Sequence, residues 1–170
     1  TTGIHGLSKL GLMIKSKTIF DSDIALSHSL INSSLQQFCR PKLKPKFLKK
    51  ILKARTNKSI KMIGCTDSSD GLFQALLDLA TESNCKAIID YAKVPKHKNW
   101  PTGNKWDEYY FFGGEDYELV FSLPRKWANN LLNEDKTITE IGYFLEGDVS
   151  VDFKNCDNKN LFKNKSFSHF

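Results

Sequence analysis

The stretch TDSSDGL, residues 66–72, sets two carboxylates, Asp67 and Asp70, around two hydroxyls, Ser68 and Ser69. The stretch lies between an apolar run and a helical pattern, so both carboxylates can aim at one small volume above a strand end. Two chemistries fit. In the first, Ser69 caps the helix and Asp70 meets its positive end, an arrangement worth about 0.5–2 kcal/mol. In the second, a hard divalent cation lies between the acids, since like charges that close resist joint ionisation without one. Magnesium suits such a place because it takes one or two carboxylates together with phosphate oxygens. Spacing alone leaves both open, because Asp and Ser are also ordinary turn residues.

A second cluster, GGEDYELVFS, spans residues 113–122. Gly113 and Gly114 permit unusual backbone angles or the close approach of a ligand, and Glu115 and Asp116 stand just ahead of a strand pattern. The plain alternative is a glycine turn with solvated acids. The chain shows no Ser, His and Asp set at catalytic spacing and no GxxxxGK[ST] phosphate loop. His169 is read as a packing group.

The elements that must position these clusters follow from periodicity. Residues 2–16 read as a turn entering a helix, with Gly3, Gly6 and Ser8 allowing close approach and Leu7, Leu10 and Ile14 facing inward. A second helix is expected from Asp21–Asp23 to a stop at Pro41, with Leu30, Ile31, Leu35 and Phe38 as its stripe. In residues 41–55, Phe47, Leu48, Ile51 and Leu52 fall at helical spacing among seven Lys or Arg. Residues 59–65 predict a buried strand. Leu72, Ala75, Leu76, Leu79 and Ala80 then mark a core-facing helix. Strands are expected in CKAIIDY, YELVFSLP, TITEIGYF and DVSVDF, with a helix over RKWANNLLNE. This interleaving predicts a single domain of the mixed α/β class, one mixed sheet layered with helices.

Composition narrows the function classes. The chain has 170 residues, 40% hydrophobic, enough for one core, and no apolar run of membrane-spanning length. Its four cysteines, Cys39, Cys65, Cys85 and Cys156, form no CxxC pair, which argues for reduced thiols in the cytoplasm and against zinc or disulfide frameworks. The net charge of +6 invites a nucleic-acid reading, centred on Lys46, Lys49, Lys50 and Lys53. The alternation of those lysines with apolar residues favours a solvated helix face instead. The opening TTGIHGLSKLGL shows neither an initiator methionine nor a signal pattern, so the sequence is expected to begin partway through a longer protein.

Taken together, TGIHGLSKLGL, the Arg40–Pro41 pair, TDSSDGL, GGEDYEL and the closing SFSHF resemble, in that order, the C-terminal half of the thiamine-monophosphate kinase family. Neighbouring families with the same fold, the aminoimidazole ribonucleotide synthetases, selenophosphate synthetases and hydrogenase maturation proteins, carry other residues at the aspartate motif and stand second. The resemblance implies transfer of the ATP γ-phosphoryl group to thiamine monophosphate, giving thiamine diphosphate with magnesium as cofactor. It implies Asp67 and Asp70 as magnesium ligands, Ser69 as an ATP contact, Glu115 as a substrate contact and Phe167 as a ring that packs on the substrate.

It also implies an N-terminal half that carries further magnesium aspartates and the dimer interface. The present piece is therefore expected to fold but to turn over little alone. Three residues depart from the family pattern: Leu7 for an acid, Phe38 for a histidine, and Ser68 for an apolar residue. The last is expected to loosen the metal geometry and is the main support for a degenerate, non-catalytic interaction domain.

Overall fold

The computed structural model describes residues 1–18, 25–55, 63–156 and 159–162. Its elements run α1 (Leu7–Lys15), α2 (His28–Cys39), α3 (Pro45–Lys53), β1 (Gly64–Asp67), α4 (Leu72–Glu82) and β2 (Lys86–Asp90). After these come α5 (Asn104–Phe112), β3 (Leu119–Ser122), α6 (Arg125–Glu134), β4 (Gly142–Leu145) and β5 (Ser150–Lys154). The mixed helix and strand class is the one expected. Among the described residues the strands form two small sheets, however, and not one: β1 pairs antiparallel with β3, while β2 lies between antiparallel β4 and parallel β5.

Between β3 and β4 lies a cavity of about 330 Å3, lined by Leu76 and Leu79 of α4, Val120, Leu131 and Ile141 among others. The backbone spans this gap at one end through Thr1 and Thr2. Thr2 N–H donates to Leu119 O (3.1 Å), and Thr139 N–H donates to Thr1 O (2.9 Å).

Two cores hold the elements. The larger gathers Leu7, Leu10, Leu30, the inner face of α4, the centre of β2 and the aromatic face of α5. The smaller joins Phe47 and Ile51 of α3 to Trp127 and Leu131 of α6 and to Ile138. Burying such a side chain is worth about 1.5–3 kcal/mol, and Trp127 adds a 2.6 Å bond from its indole N–H to Ile51 O.

Several local expectations need correction. The second helix begins at His28, because Ser27 Oγ accepts from Leu30 N–H (3.3 Å) and caps it there; residues 19–24 lie outside the described residues. On α3 only Phe47 and Ile51 are buried, whereas Leu48 and Leu52 are about half exposed. A nine-residue helix resting on α6 along one line buries one position per turn, not two. The strand foreseen over 59–65 falls mostly outside the described residues, and β1 instead runs to Asp67. Helix α5 was not foreseen. Its signal was Trp106 and Tyr110 at i, i+4 behind Gly103, masked by the run of aromatics that reads equally well as strand.

Candidate functional site

The first acidic cluster is built by the end of β1. Asp67 is its last residue, opposite Leu119 in the register. The ladder continues one residue further, since Ser68 N–H donates to Glu118 O (2.9 Å) and Glu118 N–H donates to Ser68 Oγ (3.1 Å). Ser68 is fully buried, so this departure from the family pattern adds a bond to the strand junction. The Ser68 hydroxyl is thus satisfied by the strand junction itself.

The chain then turns through Ser69 and Asp70, with Gly71 N–H donating to Ser68 O (3.1 Å). Gly71 has φ +91, and a Cβ there would meet Phe111 O at 3.0 Å and the Phe112 carbonyl carbon at 3.1 Å, so only glycine fits. Gly71 is also the N-cap of α4, and no side chain caps that helix. The capping role considered for Ser69 is thus not observed, and the positive end of α4 opens beside the acidic turn.

Asp67 is exposed, and its Oδ1 accepts from Ser69 N–H at 3.0 Å, which orients the carboxylate at the turn. Ser69 and Asp70 are half-buried. The second acidic cluster is brought alongside by the backbone itself: Glu115 N–H donates to Ser69 O at 2.8 Å. Glu115 is exposed, and Tyr117 Oη donates to its Oε2 at 2.6 Å. The Tyr117 hydroxyl is pushed up, chiefly by that bond, with the charges of Asp67 and Asp70 adding to it. Asp67, Asp70, Glu115 and Tyr117 therefore act on one small region of surface.

Alternate residues of the same loop turn inward. Asp116 is fully buried, and its carboxylate accepts from Gly6 N–H (2.5 Å) and Ser8 N–H (2.9 Å) at the start of α1. Burial outweighs those bonds and pushes its carboxyl up to about 7. Glu118 is buried too, accepting from Thr2 Oγ1 (2.6 Å) and paired with Lys44. The fit around it is tight, because a Cβ on Gly3 would meet the Glu118 carboxylate. On the other side of the loop, a Cβ on Gly113 would meet Tyr109 O at 2.2 Å and Lys9 Cβ at 2.6 Å. Gly113 thus serves close packing between helices, at an ordinary φ of −74.

Asp116 and Glu118 as buried braces, and Tyr117 as a partner of Glu115, were missed in the sequence. The period-2 alternation of EDYEL was the available signal, but two acids facing a core contradict hydrophobic patterning. Phe167 and His169 lie outside the described residues. The nearest described aromatic, Phe162, stacks on Phe153 at 3.8 Å between ring centroids and packs on Phe73 and Phe112, neighbours of the two acidic loops.

The acidic surface offers hard oxygen donors. Among the described residues no group of three or more His, Cys, Asp or Glu side chains is placed to hold a metal ion. Asp67 and Asp70 are oxygen donors of the kind magnesium takes, one or two at a time, beside phosphate and water. The lining of the apolar cavity between the sheets includes none of the acidic-loop residues.

Residues 2–154 match the family described as AIR synthase related protein, C-terminal domain. The chain belongs to that family. The curated thiamine-monophosphate kinase of Prochlorococcus marinus is 34% identical to this AIR synthase related domain over 170 residues, spanning 100% of this chain and 51% of that protein. The crystal structure of thiamine-monophosphate kinase from Stenotrophomonas maltophilia shares the fold, with a TM-score of 0.70 at 22% identity over 89% of this chain and 48% of that one. The structure of AaThiL complexed with AMPPCP and TMP superposes with a TM-score of 0.65 at 27% identity, over 93% of this chain and 48% of that one. The chain spans about half the length of these relatives. Among the described residues no helix is long and apolar enough to cross a membrane.

Proposed function

We propose that this chain is the C-terminal half of a thiamine-monophosphate kinase, transferring the γ-phosphoryl group of ATP to thiamine monophosphate. The observation that carries this reading is the Glu115–Ser69 backbone bond. It unites two acidic motifs at one surface, in a chain that aligns along its whole length with a curated kinase of that name. A phosphate oxygen of thiamine monophosphate forms the new bond to the γ-phosphorus as the bond to the ADP oxygen breaks. Such a reaction asks the protein for positioning and charge neutralisation more than for covalent chemistry.

Asp67 and Asp70 are the residues that would hold magnesium, which when bound would offset the charge of the ATP phosphates. Ser69, in the turn between them, is proposed to contact ATP. The uncapped N-terminus of α4 presents backbone N–H groups suited to a phosphate. Glu115, fixed by Ser69 and Tyr117, takes the thiamine end of the substrate, and Phe167 is proposed to pack on its ring. The relatives' additional length is proposed to supply an N-terminal half with further acids, the rest of the ATP site and a homodimer contact. The cysteines are unpaired, which fits a cytoplasmic setting.

No observation favours the competing readings. Ser68 supports the strand junction and so no longer argues for a degenerate site. On the basic segment, Lys50 is paired with Asp135, and Lys46, Lys49 and Lys53 are exposed on the helix face turned away from Phe47 and Ile51, as a solvated face would be. The test is ADP release from ATP with thiamine monophosphate as acceptor, run on the full-length protein and on the 170-residue chain. Magnesium-dependent turnover by the full-length protein, with little or none from the chain alone, is expected. No turnover by the full-length protein would refute the reading, and robust turnover by the isolated chain would refute the proposed need for a second half.

A further inference from the structure

Tyr117 is the residue of the acidic surface to which the motifs give no role. Its backbone lies at φ +53 and that of Glu115 at φ +69, a left-handed conformation that bulky residues hold only when their surroundings impose it. The surroundings here are explicit. Ser8 Oγ donates to Glu115 O (2.7 Å), and Gln37 Nε2 donates to Asp116 O (2.7 Å). The buried Asp116 carboxylate is held by two N–H groups of the α1 start, and Glu118 N–H is bound to Ser68 Oγ. Pinned this way on both sides of Asp116, the loop brings the Tyr117 hydroxyl and the Glu115 carboxylate together at the surface. A phenol hydroxyl at the surface gains as good a hydrogen bond from water, so the contact alone does not explain two left-handed residues.

We infer that Tyr117 is a positioning residue for the phosphoryl-accepting substrate: by holding Glu115 Oε2 it fixes the carboxylate so that Oε1 accepts from an N–H of that substrate or faces its cationic group. A carboxylate already confined to one rotamer loses less freedom on binding and so binds more tightly. The substrate class is a phosphate ester whose far end bears a fixed positive charge or N–H donors, which the field of Asp67, Asp70 and Glu115 favours. This inference rests on the kinase reading above.

The test uses the full-length protein and the variant Tyr117→Phe, which removes only the hydroxyl. The KM for thiamine monophosphate should rise about tenfold, while kcat and the KM for ATP stay within about twofold. In a Glu115→Gln background, Tyr117→Phe should add no further loss, because the two act through one contact. An unchanged KM, an equal loss toward ATP, or a loss additive with Glu115→Gln would overturn the inference. A variant that fails to fold, followed by its thermal unfolding midpoint, would overturn it too, since a purely positioning hydroxyl is not needed for folding. Wild-type protein without transfer to thiamine monophosphate would instead remove the kinase reading and this inference with it.

Discussion

Two regions of the molecule each bury an acid, and they treat it in opposite ways. At the foot of the lysine helix, Asp135 accepts from Lys50 Nζ (2.6 Å) and from Thr137 N–H (2.9 Å) and Oγ1 (2.6 Å), which hold its carboxyl down at about 2. At the acidic loop, Asp116 accepts from Gly6 and Ser8 of the α1 start, with the Glu118 charge nearby, and burial pushes its carboxyl up to about 7. Asp135 joins a side-chain network that fastens α3 to the end of α6. Asp116 is a brace made almost wholly of backbone contacts, and of its neighbours in sequence it leaves Glu115 exposed and Tyr117 half-buried beside it. The contrast separates acids that hold the fold together from acids that the fold holds out.

The contrast is broken most sharply by removing the exposed acids. Asp67→Asn or Asp70→Asn in the full-length protein should lower kcat on the order of a hundredfold or more, with the thermal midpoint unchanged. Equal losses of folding and turnover would show these acids to be braces as well. Asp116→Ala should cost about 2 kcal/mol or more in denaturant unfolding, because it leaves the N–H groups of Gly6 and Ser8 buried without a partner.

A pH series sharpens the same comparison. For Asp116 the folded state holds the proton more tightly than the unfolded chain does. Its contribution to stability is therefore complete below the ordinary carboxylate range and is lost as pH rises through about 7. Asp135 runs the other way: its contribution is present above the ordinary range and is lost as pH falls through about 2. Unfolding free energies of Asp116→Asn should accordingly fall less between about pH 4 and 7 than those of the wild type. A parallel fall in both would show that Asp116 does not titrate there.

The smallest effects belong to the lysine face. Lys50→Ala should cost within about 1 kcal/mol, since Lys50 is largely exposed and solvent screens its pair with Asp135. Lys46→Gln with Lys49→Gln should change stability by less than about 0.5 kcal/mol and leave turnover unchanged. Loss of turnover in that variant would return the basic helix to consideration as a functional surface.

What the sequence disclosed and what it hid follow the same division. The helix over 72–82 was legible because its apolar positions repeat cleanly against one core, and β2 and β5 because their runs are short and bounded by turn residues. The TDSSDGL and GGEDYEL clusters stood out as acids beside glycines, yet nothing in the chain of letters stated that Glu115 N–H meets Ser69 O. That contact depends on the β1–β3 register, and register is set by pairing at a distance. The partner of Ser68 was hidden for a related reason: a hydroxyl in an apolar position needs a partner, and Glu118 supplies one from 50 residues away. Asp116 and Glu118 stayed hidden because the donors that make their burial tolerable, the N–H groups of Gly6 and Ser8 for one and the Thr2 hydroxyl for the other, come from the start of the sequence.

The central claim is that the acids around Ser69 bind nucleotide through a divalent ion. Calorimetric titration of the full-length protein with the non-hydrolysable analogue AMPPCP, in the presence and absence of magnesium, tests it directly, with Asp67→Asn/Asp70→Asn as the control. The account predicts binding that requires magnesium in the wild type and is lost in the folded double variant. Binding of equal strength with and without the metal, or unimpaired in the double variant, would contradict it.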